Sequence, residues 1–115
     1  MRTPALMGLL LLAVSVVLPQ NKVGQFSGEI MDSQCAKMGG HDRMMKGLNA
    51  KDARDCSMKC IGLGGKYVLY DPTTKMTYQV DDQQKSGMYA GQRVSIKGSF
   101  DASNKTIHVE SIASR

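Results

Sequence analysis

The sequence predicts a mainly β protein, a small five-stranded barrel with a short helical insertion between strands 1 and 2. Three observations lead there. Short stretches along the chain alternate apolar and polar residues with the period of half-buried strands. Turn-forming residues at 71–74 and 101–104 join successive stretches into hairpins. One block, Met31 to Cys60, breaks this pattern and contains all three cysteines, His41 and a cluster of methionines.

Residues 1–20 read as a signal peptide. Arg2 supplies a basic start, an uncharged apolar run extends from Leu6 to Leu18, and Pro19 follows. The run is shorter than the ~20 residues a membrane span needs, and it suits a secretory leader. Residues 21–115 then form a single domain, small enough for a disulfide or a metal to matter to its stability. The expected location is the periplasm or the exterior, with no membrane contact beyond the leader.

The chain has 15 Lys+Arg against 10 Asp+Glu, a net charge of +5. Bases and acids are interspersed, as in Lys51 to Asp55, and aromatics are few. This disfavours nucleic acid as a partner. It suits solubility or weak attraction to an acidic envelope ligand or protein.

Phe26, Gly28 and Ile30 alternate with Gln25, Ser27 and Glu29, giving the first strand. Gly28 in mid-strand marks a bend or bulge. A short turn or helix is expected over Ser33 to Met38, and then a loop through Gly39, Gly40 and Gly47. Asn49 to Cys60 is the best helix candidate, with Asn49 as N-cap and Gly62 as its stop. Lys66 to Tyr70 and Lys75 to Val80 form a hairpin around Pro72. A polar connector, with one helical turn at Asp82 to Lys85, leads to Gln92 to Phe100 and Lys105 to Ile112. These pair as a second hairpin, with Ile107 and Val109 inward and His108 and Glu110 outward. Five short strands, each burying one face, must close or protect their edges. A partly open barrel of the OB type is the most economical way to do so.

Two stretches carry a resemblance. Tyr89 to Ile112 (YAGQRVSIKGSFDASNKTIHVESI) resembles the closing hairpin of small exported bacterial OB-fold domains, among them the periplasmic bacterial OB-fold family. GEIMDSQC (Gly28 to Cys35), His41, CSMKC (Cys56 to Cys60) and GGKYVLYD (Gly64 to Asp71) resemble a group of uncharacterised secreted bacterial proteins with a Cys/His-containing insertion. The resemblance implies export and an OB-like domain over 21–115, with the insertion at 32–62. It implies no activity.

The chemistry lies in the spacing C-x5-H-x14-C-x3-C over Cys35, His41, Cys56 and Cys60. On a helix, Cys56 and Cys60 point the same way, about 6 Å apart. With Cys35 and His41 arriving from the facing loop, the four make a tetrahedral set for zinc. Soft thiolates also suit copper as Cu(I), and Met38, Met44, Met45 and Met58 lie nearby. The competing reading is a disulfide. Cys56 and Cys60 on one helix exceed the ~3.5–4.5 Å Cβ separation that a bridge requires. Cys35 would therefore pair with Cys56 or Cys60, at a gain of roughly 3 kcal/mol, and leave one thiol free. No C-x-x-C pair, haem-attachment motif or partner to orient His41 is present, so no enzyme activity is expected. Two functions remain open. One is an exported module binding zinc or copper. The other is an envelope ligand-binding or structural module, using Lys66, Arg93 and Lys97 on the barrel with the cysteines purely structural.

Overall fold

The structure, a computed structural model, describes residue 8, residues 10–16 and residues 22–115. The signal-peptide expectation falls largely on residues outside that set. Among the described residues no helix is long and apolar enough to cross a membrane.

The protein is mainly β. Five strands, β1 (Val23–Asp32), β2 (Tyr67–Asp71), β3 (Met76–Val80), β4 (Arg93–Asp101) and β5 (Thr106–Ser114), form one sheet. It closes into a ring in the order β1-β2-β3-β5-β4. Neighbours are antiparallel except β3 and β5, which run parallel through Gln79↔Thr106 and Val80↔Ile107. β1 closes the ring because it has two partners. Residues 23–29 pair with β4, and residues 29–32 pair with β2.

Gly28 sits where β1 changes partner. A Cβ there would run into the backbone carbonyl of Tyr70 on β2, so the crossing requires a residue without a side chain. The bend expected at Gly28 is thus a close approach of two strands. An irregularity does occur in the β4–β5 pairing, between Lys97 and Gly98. There Lys97 faces Ser111 and Gly98 faces Val109, which leaves Glu110 as an extra residue. The shift switches the parity of β5, so that Ile107 and Ile112 both point into the ring.

The interior is filled by Ile30, Leu69, Val80, Val94, Ile96, Ile107 and Ile112. Phe26, Tyr78 and Phe100 pack against this cluster as a trio with ring centroids 5.5–5.7 Å apart. Such tilted pairs add to what area burial alone contributes.

Three helices join β1 to β2: α1 (Ser33–Lys37), α2 (Asp42–Leu48) and α3 (Ala53–Gly62); α4 (Gln83–Gly87) joins β3 to β4. Three local expectations are corrected. Gly62, read as the left-handed stop of the long helix, is its last residue, and the positive φ falls on Gly64, at 99°. Residues 42–48, read as loop, are helical, and the long helix starts at Ala53, not after Asn49. Asn49 is instead the left-handed C-cap of α2, at φ 52°. Asparagine suits either cap, so residue type alone left the direction ambiguous. Asp52 is the N-cap of α3, its side chain accepting from Asp55 N at 2.8 Å. Lys59 donates to the carbonyls of Leu48 and Asn49 at 3.3 and 3.2 Å, tying α3 to the end of α2.

The insertion covers the outer face of β1 and β2. Met31, Val68 and Tyr70 point away from the ring and form a second buried cluster with Cys35, Ala36 and Cys56. Met44, Met45, Leu48 and Ala50 close over it.

Gly28→Ala should destabilise the fold by about 3 kcal/mol, because the carbonyl it meets is backbone and cannot rotate away. Gly24→Ala, on the same strand, meets only the Phe26 ring at 3.6 Å and should stay within about 0.5 kcal/mol. Urea denaturation of the two variants measures the difference.

Candidate metal centre

The three cysteines meet between β1–β2 and the insertion helices. Asp32, the last residue of β1, caps α1: its Oδ2 accepts from Gln34 N and Cys35 N, both at 3.0 Å. Ser33 N donates to Lys66 O at 2.8 Å, which pins the start of α1 to the start of β2. These contacts fix Cys35 one turn beyond the strand. Cys56 and Cys60 occupy one face of α3, as their spacing predicts, and both are buried.

The Sγ atoms of Cys35, Cys56 and Cys60 all lie within 4.8 Å of one another. Cys35 Sγ and Cys56 Sγ are 3.7 Å apart. That exceeds a disulfide bond, which is about 2.05 Å. It is close to the edge of a thiolate tetrahedron around zinc, about 3.8 Å for ~2.3 Å Zn–S bonds. It is also an ordinary contact between two sulfurs, so the convergence of the third sulfur tells more than this distance alone.

His41 reaches the same region by a sharp reversal. Gly39, at φ +77°, ends α1, and Gly40 N bonds Cys35 O at 3.0 Å, which returns the chain over Cys35. The imidazole is buried and groups with Asp32 and Cys35, one donor atom of each lying within 4.8 Å of the others. Cys35 is the residue shared by this group and the three-sulfur group. Nε2 of His41 lies 3.3 Å from Glu29 Oε1, a charge contact off hydrogen-bond geometry; neither ring nitrogen has a hydrogen-bond partner. Oδ1 of Asp32 and Oγ of Ser57 are likewise buried without a partner. Buried polar atoms left open in this way are uncommon, and those of Asp32 and His41 belong to residues that group with Cys35.

The sequence pattern named Cys35, His41, Cys56 and Cys60; the three cysteines meet, whereas His41 groups with Cys35 and Asp32 and not with Cys56 and Cys60. It missed Asp32. Aspartate ahead of a short helix is a visible capping signal, but its complete burial depends on the insertion folding back.

Burial pushes the Cys35 thiol well above its ordinary range, and the Asp32 carboxylate adds to the shift. Burial and the Asp32 charge likewise push Cys60 up to about 11. Such thiols stay protonated at neutral pH and are poor nucleophiles until a cation replaces the proton. The His41 pKa is raised, chiefly by Glu29, with burial opposing and Asp32 and Asp42 adding.

Arg93 lines a groove of about 710 Å³ beside Glu29, Tyr70 and Asp71, and neither Lys66 nor Lys97 is in its wall.

A raised thiol pKa favours the folded state while the unfolded chain would keep its proton too, and this contribution is lost as the unfolded thiol ionises. The metal-free, reduced protein should therefore lose stability as pH rises from 9 to about 11. The Cys60→Ala variant should lose less over that interval, as read from urea midpoints. For His41 the raised value makes the ion pair stabilising below pH 6.5, with the gain lost as pH rises through the folded pKa. Glu29→Gln should bring the His41 titration to lower pH in an NMR experiment.

No protein-family model, no curated protein and no solved structure matches the chain, so its own residues must carry the functional reading.

Proposed function

We propose that this chain is a small exported, non-enzymatic metal-binding module in which Cys35, Cys56 and Cys60 hold a soft or borderline ion, zinc or Cu(I). The observation that carries this reading is the convergence of three buried sulfurs, with the unpartnered Asp32 Oδ1 and His41 Nδ1 on residues grouped with Cys35. Thiols lose their protons readily to such ions, and desolvation strengthens the resulting bonds. The same desolvation disfavours a free reactive thiol, which weakens redox and nucleophilic readings. The closed strand order, with its single parallel pairing of β3 and β5, supports the OB-like description of the scaffold. The leader-like residues 1–20 support export.

The ligand-binding alternative finds less support. The Arg93 groove carries Arg115 as well, but also Glu29 and Asp71, so it offers an anionic ligand a mixed wall. A Cys35–Cys56 disulfide is the remaining competitor, since those two sulfurs are already in contact.

Calorimetric titration of the reduced protein tests the reading. One equivalent should bind, with release of protons. At a free-ion concentration of about 100 times Kd, binding should add about 2.7 kcal/mol to stability. For a domain of this size that raises Tm by roughly 10–20 °C. Cys35→Ser should lower affinity by at least about 100-fold, beyond what loss of a supporting residue costs. Stoichiometry below about 0.2 equivalents with no change in Tm would overturn the proposal.

A further inference from the structure

The geometry points to Cu(I), held in a plane of three sulfurs and loaded through a mouth formed by Met44 and Cys60. This inference rests on the metal-binding reading above and deepens it by naming the ion and its route.

Two independent observations support it. The first is the donor set. Cys35, Cys56 and Cys60 form a three-sulfur group, whereas His41 gathers with Asp32 and Cys35, and Asp32 borders Cys60 as well. Nε2 of His41 faces Glu29 at 3.3 Å. Closed zinc sites take four donors in a tetrahedron, and among the described residues no fourth His, Cys, Asp or Glu donor lies within 4.8 Å of all three sulfurs. Cu(I) is satisfied by soft sulfur ligands without a fourth.

The second is the way in. Cys35 and Cys56 are 0 % exposed, and Cys60 is 4 % exposed. Cys60 lines a cavity of about 270 Å³, together with Met44, Ser33, Gln34, Leu63 and glycines. No acidic or basic side chain lines this cavity. A carboxylate-free mouth gives a hydrated dication nothing to bind on the way in. A thioether beside a thiol gives Cu(I) two soft, successive ligands. The ion would pass from Met44 to Cys60 and then to Cys35 and Cys56. Each Cu–S(thiolate) bond replaces an S–H, and the proton leaves to solvent. The copper stays Cu(I), so no oxidant or reductant takes part.

X-ray absorption of the full mature chain, loaded anaerobically with Cu(I) and separately with zinc, tests the inference. Cu(I) outcompetes zinc at many thiolates, so coordination is the readout, not affinity alone. The expected copper spectrum shows three sulfur neighbours and no nitrogen. His41→Gln should leave Cu(I) affinity within about 10-fold. Met44→Leu, a volume-conserving change, should slow Cu(I) loading from a chromophoric chelate by about 10-fold or more and leave the final occupancy unchanged. A copper site containing nitrogen would overturn the three-sulfur plane. So would a zinc site in which His41→Gln costs about 100-fold in affinity while copper fails to bind, although the metal-binding reading would survive. An unchanged loading rate in Met44→Leu would overturn the proposed mouth. Failure to bind either ion would overturn this inference and the reading beneath it together.

Discussion

The two-sided burial of β1 and β2 is the constraint on which the rest of the structure depends. Ile30 and Leu69 fill the ring, while Met31, Val68 and Tyr70 turn apolar surface outward. Leaving side chains of this size in water would forgo roughly 1.5–3 kcal/mol each. The insertion between β1 and β2 is therefore an outer layer of the fold. Its helices are short, and none is stable alone at 5–10 residues. They hold because they share this second core.

The cysteines lie at that seam. Cys35 arrives from the strand side through the Asp32 cap, and Cys56 and Cys60 arrive on α3. Gly91 fixes the far side. At φ +76°, with its amide bonded to Ile30 O at 2.7 Å, it lies so close to the Ala53–Arg54 backbone that a Cβ would clash. The start of α3 is thereby set against the ring, and the positions of Cys56 and Cys60 follow. A group that bonds all three sulfurs would link both layers, so binding and folding would be coupled.

Much of the fold was legible because strands that bury one face announce it by alternation. Val94, Ile96, Gly98 and Phe100 did so, and so did the turns around Pro72 and at 101–104. The YVLY run of β2 lacked alternation, which is the mark of a strand buried on both faces. It was the one sequence clue to the outer layer. The α2 helix was not read because Gly39, Gly40 and Gly47 suggested a loop, although Met44, Met45 and Leu48 form a short apolar stripe that packs on the outer core. Among the site residues, the i,i+4 placement of Cys56 and Cys60 could be read from spacing. The grouping of His41 with Asp32 and Cys35, and not with all three sulfurs, depends on tertiary folding and could not.

The most direct test of the central claim is the intact mass of the protein isolated from its own compartment, taken under native and denaturing conditions with alkylation. If the three sulfurs are ligands, the native species carries one metal ion and the denatured chain takes up three alkyl groups. A metal-free species that takes up a single alkyl group, with Cys35 bonded to Cys56 or Cys60, would contradict the account.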